Sequence, residues 1–283
     1  MRVISKNYDL KRIIALWKRQ HRSIAFVPTM GNLHEGHLSL IEAAKDQADR
    51  VVVSIFVNPT QFDRSEDLVA YPRTLIADSE KLKVADLDVL FAPSVSEIYP
   101  HKTTMTTLTI SGIGDRLEGA SRSGHFSGVA TVVCKLFNLV QPNYAFFGKK
   151  DYQQLRIIQA VVADLNIPVK VIGIPTFREC DGLAMSSRNG YLTPTERLSA
   201  NGLYRVLQEV VEKLKNTSIP FVDLEEEAKK RLIEKGFKPD YVTICCADDL
   251  QIATRDDNDL VILGAAWLGQ ARLIDNICLK KLD

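Results

Sequence analysis

Short, β-branched apolar runs alternate with amphipathic stretches through the first 175 residues, and nothing else in the chain constrains its fold as much. Residues 23–27 (SIAFV) are an apolar run that stops at Pro28 and reads as a buried strand. Residues 37–48 carry Leu38, Ile41 and Ala44 or Ala48 at helical spacing. Residues 50–57 (RVVVSIFV) read as a second strand ending at Asn58-Pro59. A helix over 73–84 and a strand over 87–92, closed by Pro93, follow. This is βαβαβ, the pattern of a parallel sheet covered by helices. The alternation continues with a helix over 125–140, a strand over 144–147, a helix over 151–165 and a strand over 169–174. Residues 105–110 (MTTLTI) read as a strand outside the regular winding.

After about residue 176 the texture changes. Amphipathic helices are expected near 194–215 and 221–235, then strands over 240–246, 260–267 and 271–279. Only Leu268-Gly269-Gln270 separates the last two, which predicts an antiparallel hairpin. The expected class is α/β, with a Rossmann-like parallel-sheet domain over 1–176 and a smaller C-terminal α/β domain with antiparallel strands over 177–283. A length of 283 residues suits about two domains of ~150 residues each.

Thirty-six Lys+Arg against 35 Asp+Glu give a net charge of +1. That excludes a whole-surface basic field, so neither nucleic acid nor a membrane is an expected partner. No apolar run approaches the ~20 residues of a membrane span. The charged N-terminus has no signal-peptide core, and the five cysteines are scattered without a CxxC pair. Both features point to reduced thiols in the cytoplasm.

The chemistry starts at residues 28–40, PTMGNLHEGHLSL, where the first strand meets the first helix of the βαβαβ pattern. Two of only five histidines, His34 and His37, sit in one tetrapeptide. In open parallel sheets, ligands bind at the carboxyl ends of strands, beside helix N-termini. His37 is expected to start the helix, where ring nitrogens and unpaired N–H groups form a donor cluster for phosphate. Gly36 removes a side chain where a ligand could lie against the backbone. HEGH lacks the four-residue step of a zinc HExxH, and neither a P-loop nor GxGxxG is present. Residues 54–62 (SIFVNPTQF) put Asn58 and Gln61 on the same sheet edge, as do Gly148, Lys149, Lys150 and Asp151 at the next junction. Met185-Ser186-Ser187-Arg188 supplies an arginine flanked by hydroxyls, suited to a departing pyrophosphate.

HxGH ending a first strand, with MSSR later, resembles the nucleotidyltransferase superfamily. The ordered blocks VPTMGNLHEGHLSLI, SIFVNPTQF, AYPRT, FAPSVSEIYP, RSGHFSGVATVV, FGKKDYQQL and DGLAMSSRNGYLT narrow this. From about residue 22 onward the chain resembles the pantoate–β-alanine ligase (pantothenate synthetase) family. The resemblance implies an AMP-forming ligase that makes pantoyl adenylate from ATP and pantoate, then passes the acyl group to β-alanine. It also implies Mg²⁺, a cytoplasmic homodimer and a C-terminal domain that closes over the cleft. The implied ATP site is Met30, Gly31, Asn32, Leu33, His34, Glu35, Gly36, His37, Gly148, Lys149, Lys150, Asp151, Phe177, Met185, Ser186, Ser187 and Arg188. The implied catalytic groups are His37, His34 and Lys150, with Gln61 and Gln154 on the substrate and Asp78 near the metal. Three positions depart from the family pattern: Lys149 replaces a usual Glu, Asn32 a commoner Ala, and Cys180 is no family hallmark. The alternative is another HxGH nucleotidyltransferase, of the phosphopantetheine adenylyltransferase or cytidylyltransferase type, but those lack VNPTQF and the DGLAMSSRNGYLT block.

Overall fold

Both faces of the central sheet are buried, which is why its strands read as unbroken apolar runs rather than alternating ones. The computed structural model describes residues 1–62, 65–101 and 105–280, apart from the side chains of Ser65 and Asp67. The chain forms two compact units, one of Met1–Lys149 with Gln154–Pro175, the other of Lys150–Gln153 with the chain from Thr176 onward.

The first unit runs β1 (Arg2–Ile4), α1 (Asn7–Arg19), β2 (Ile24–Thr29), α2 (Glu35–Gln47), β3 (Arg50–Ile55), α3 (Ser65–Ala70), α4 (Leu75–Val84), β4 (Val89–Phe91), α5 (Val95–Ile98), α6 (Glu118–Ser121), α7 (His125–Val140), β5 (Tyr144–Gly148), α8 (Tyr152–Asp164) and β6 (Lys170–Ile174). All six strands are parallel, in the order β1-β4-β3-β2-β5-β6. Ile24 and Phe26 of β2 face a core built with α1, α7 and α8. Ala25 and Val27 face the opposite core, built with Leu40, Ile41 and Ala44 of α2 and Leu82 of α4. This is the Rossmann-like sheet that the alternation predicts.

Three features of this unit differ from the sequence reading. The charged N-terminus holds β1 and α1, which that reading does not include, and Leu10, Ile14 and Trp17 make a buried helical stripe there. Residues 105–110 are not a strand, and Leu108 gives its N–H to Thr131 Oγ1 at 2.9 Å instead. β2 does not stop at Pro28 but runs through it to Thr29. Alternation explains the tolerance. Ser23 and Thr29 give their carbonyls to β3, and Ile24 gives its carbonyl to Asn143 on the β5 side. Pro28 has the parity of Ile24, so its missing N–H faces β5, not β3.

The second unit runs α9 (Pro194–Ser199), α10 (Gly202–Asn216), α11 (Phe221–Glu234), β7 (Lys238–Cys246), β8 (Asp259–Leu268) and β9 (Ala271–Lys280). Its strands form an antiparallel sheet in the order β7-β8-β9, with the expected hairpin between β8 and β9. The helix expected over 194–215 is two helices. Ala200-Asn201 interrupts it, where the buried Asn201 turns its side chain to the Asp181 carbonyl at 3.1 Å. Leu203, Val206, Leu207, Val210, Val211 and Leu214 of α10 then form the stripe that packs on the sheet. Among the described residues no helix is long and apolar enough to cross a membrane.

Leu207 is fully buried in this core. Leu207→Ala should lower stability by about 2–5 kcal/mol, the usual cost of a buried leucine truncation. Chemical denaturation measures it, and a cost below about 1 kcal/mol would show that the core collapses around the cavity.

Candidate active site

The order of the parallel strands reverses between β2 and β5, because the chain winds outward through β3 and β4 and then returns to β5 and β6. Such a switch point is where open α/β sheets leave a ligand crevice. Here β2 and β5 pair only at Ala25↔Tyr144 and Phe26↔Ala145. Pro28 offers no donor to β5, so the ladder ends and the strands part before their carboxyl ends.

The loop that leaves β2 begins with two left-handed residues, Gly31 (φ 84°) and Asn32 (φ 51°). Asparagine adopts that region more readily than alanine, which accounts for the departure at position 32. A Cβ on Gly31 would stand only 3.1 Å from Asp78 Oδ2. The turn aims successive amides at one carboxylate. Asn32 N–H donates to Asp78 Oδ2 at 2.9 Å and Leu33 N–H to Oδ1 at 2.8 Å. The Thr74 hydroxyl adds a third donor at 3.0 Å, and Asp78 is 1% exposed. Lys81 Nζ, one helical turn on, holds the Leu33 carbonyl at 2.5 Å. Asp78 thus anchors the loop and is not the open carboxylate that a metal contact needs. Among the described residues, no group of three or more His, Cys, Asp or Glu side chains is placed to hold a metal ion.

α2 starts at Glu35, earlier than expected, with His34 as its N-cap and His37 in its first turn rather than at its start. His34 N–H donates to His37 Nδ1 at 3.3 Å, and the two imidazole centroids are 4.1 Å apart. An Nδ1 that accepts puts the proton of a neutral ring on Nε2. His37 therefore carries a directed N–H donor at the mouth of the helix, where the backbone field already favours anions.

Gln61 ends a 3-10 turn, Pro59–Gln61, capped by Asn58. Asn58, on the same sheet edge as Gln61, is fully buried and clamps it. Its Nδ2 donates to Gln61 Oε1 at 2.9 Å and to the Gly128 carbonyl at 3.2 Å. Its Oδ1 accepts from the Tyr99 hydroxyl at 2.9 Å, whose titration burial pushes upward. The Gln61 carbonyl accepts from His125 Nδ1 at 2.9 Å and Arg122 Nη2 at 3.2 Å. With its Oε1 taken as an acceptor, Gln61 is oriented to offer N–H donation. The sequence reading gives no role to His125, Arg122 or Tyr99. The only signal lies in the blocks RSGHFSGVATVV and FAPSVSEIYP.

Gly148 ends β5, and Lys149–Asp151 form a 3-10 turn that leads into α8, with Gln154 in its first turn. In the second unit, Lys150, Ser186, Asn189 and Asp275 line one small cavity. Met185 N–H donates to the Phe177 carbonyl at 3.0 Å, so the two ends of that loop meet. Ser186 caps the turn Ser187–Tyr191 by accepting from Arg188 N–H at 3.2 Å. Cys180 is an exposed free thiol. Arg197 bridges Glu179 at 2.5 Å and Asp181 at 2.6 Å, and its hydrogen bond holds the Asp181 carboxyl below its ordinary value.

The chain matches the model of the family described as pantoate-beta-alanine ligase over residues 2–278. It is 53% identical over 281 residues to the pantothenate synthetase of Alkalilimnicola ehrlichii, covering 99% of this chain and 98% of that one. It is 51% identical to the pantothenate synthetase of Idiomarina loihiensis, covering 98% and 97%. The crystal structure of pantothenate synthetase from Thermus thermophilus superposes with a TM-score of 0.91 at 42% identity, covering 98% and 99%. The pantoate-beta-alanine ligase of Francisella tularensis, solved in complex with beta-gamma ATP and beta-alanine, gives 0.83 at 39% identity, covering 100% and 99%.

Two outcomes follow from this geometry. Asp78→Ala removes the charged acceptor of one buried and one part-buried amide and should cost about 1.5–3 kcal/mol in denaturation for each bond lost. A variant as stable as the parent would show that water replaces the carboxylate. A carboxyl depressed in the fold stabilises it above pH 3.8, where the unfolded group is ionised, and that stabilisation fades as pH falls below it. Asp181→Asn should therefore lose less stability than the parent between about pH 5 and pH 3, read as urea midpoints. Equal slopes would mean that Arg197 gains nothing from Asp181.

Proposed function

The chain belongs to the pantoate–β-alanine ligase family, and from that membership we propose that it joins pantoate to β-alanine through a pantoyl adenylate. In the first half-reaction a pantoate carboxylate oxygen attacks the α-phosphorus of ATP, and pyrophosphate leaves. In the second, the β-alanine amine attacks the acyl carbon, loses a proton, and AMP leaves with the bond electrons, giving pantothenate. The nucleophile of the first step is already ionised, so positioning and charge stabilisation carry that step.

The observation that carries this reading is the oriented His37 donor above the switch-point crevice. In that role His37 Nε2–H, with His34 beside it, stabilises charge by hydrogen bonding as it grows on the phosphate oxygens. The Met30–His37 loop, the Gly148–Asp151 turn and the Met185–Arg188 segment are assigned to ATP, with Phe177 at the adenine. Lys150 is assigned to the α- and β-phosphates and Arg188 to the leaving pyrophosphate. Gln61 and Gln154 are assigned to pantoate. The Asn58 clamp makes Gln61 a donor, which matches a substrate that brings a carboxylate and hydroxyls. Asp78 serves the loop, so Mg²⁺ is assigned to the triphosphate, which brings it in as a counterion.

The test is pantoate-dependent exchange of labelled pyrophosphate into ATP without β-alanine, followed by AMP and pantothenate release when the amine is added. A folded, ATP-binding protein that shows no exchange with pantoate would overturn the substrate assignment. His37→Ala should lower exchange about 10²–10³-fold, the loss typical of one transition-state donor, while keeping its melting temperature. Gln61→Glu should raise the pantoate KM far more than the ATP KM.

A further inference from the structure

β9 is an edge strand, and two consecutive buried polar residues on it, Asp275 and Asn276, hold chain segments remote in sequence. Neighbouring residues of a strand point to opposite faces, so the strand is gripped from both sides. On one face, both oxygens of Asp275 take the two arms of the Arg178 guanidinium, at 2.7 and 2.9 Å. The same guanidinium lies 3.6 Å above the Tyr204 ring and donates to the Gly182 carbonyl at 3.0 Å. Gly182 has φ 96°, and a Cβ there would meet the Tyr204 ring at 3.0 Å, so this turn closes on glycine. Arg178 also bridges to Ala184. The ion pair therefore fixes the root of the loop that carries Met185–Arg188.

On the other face, Asn276 Nδ2 donates to the Lys150 carbonyl at 2.9 Å. The backbone N–H of Asn276 donates to Asp275 Oδ1 at 2.8 Å and fixes the Asp275 carboxylate against its own strand. The held segments converge, because Lys150, Ser186, Asn189 and Asp275 line the same small cavity. A buried ion pair is a poor source of stability compared with apolar packing. A two-armed guanidinium–carboxylate contact does fix distance and angle together.

We propose that Asp275 and Asn276 are positioning residues for the nucleotide triphosphate. Asp275 acts through Arg178 on the Met185–Arg188 segment, and Asn276 acts through the Lys150 backbone on the Lys150 ammonium. One strand thereby sets the spacing of two cationic arms that come from distant parts of the chain. This inference rests on the reading of Lys150 and Arg188 as triphosphate groups.

Three variants of the full chain test it: Asn276→Ala, Asp275→Asn and Arg178→Lys, the last keeping the charge but losing the fork. Calorimetry gives the Kd of a non-hydrolysable ATP analogue, pyrophosphate exchange gives the pantoate KM, and thermal melting gives stability. Asn276→Ala should weaken the analogue about tenfold or more, as expected when cationic groups are misplaced by a fraction of an ångström. Its pantoate KM should stay within about twofold. Asp275→Asn should weaken the analogue in the same way, and Arg178→Lys should fall between it and the parent. Folded variants that bind the analogue within twofold of the parent would overturn the proposal. So would a parallel loss of nucleotide and pantoate binding that tracks the melting temperature. If Asp275→Asn does not fold, Asn276→Ala and Arg178→Lys decide alone. A parent protein that binds the analogue but shows no pantoate-dependent exchange defeats the substrate reading, and the Kd comparison still decides the positioning role.

Discussion

The carboxylate of Asp78 is what the histidine loop of the first unit depends on. Two consecutive left-handed residues are a strained way to leave a strand, and they persist only where the surroundings hold them. In return they point neighbouring amides in one direction, which makes a small anion-binding cup. An internal carboxylate fills that cup. It ties the β2–α2 junction to α4, while Lys81 from the same helix holds the Leu33 carbonyl. Everything downstream inherits this placement: the N-cap at His34 and the contact from its N–H to His37 Nδ1.

Pro28 plays two parts in the same corner. It removes a donor on the side of β5, so β2 can pair with β3 to its end and yet part from β5. A residue that reads as a strand terminator thus shapes the crevice while sitting inside the strand. The sequence signal is sound in kind, since proline does end a ladder, but it cannot say which of two ladders. That depends on the sheet order, which is fixed by partners far along the chain.

The same division between local and distant causes explains what can be read in advance. The α7 span, the β8–β9 hairpin and the core strands follow from periodicity within ten or fifteen residues, and they stand where expected. β1 is three residues long, with two of them exposed, so no periodicity announces it. MTTLTI has strand composition but pairs with no strand among the described residues, and a side-chain hydroxyl takes the N–H of Leu108. The histidines are visible because they are neighbours in sequence. Their supports are not. Leu33 and Asp78 are 45 residues apart, Arg178 and Asp275 are 97, and Lys150 and Asn276 are 126. No window reading joins such pairs. Asn58 reads correctly as a residue of that sheet edge but takes a different duty, because an asparagine beside a proline turn looks the same whether it meets a ligand or its own chain.

A net charge of +1 raises the question of how such a chain could hold a polyanion. The long-range field gives little help, since at physiological salt it decays over about 8 Å. The structure sorts its cations instead. Arg178 and Arg197 are committed to carboxylates and act as fasteners whose charge is cancelled on the spot. Arg188 is exposed, at the start of a turn that Ser186 caps. In the first unit the helix N-terminus at His34 brings a favourable backbone field for anions and adds no net charge for the rest of the fold to balance. Local geometry can therefore do what overall charge cannot.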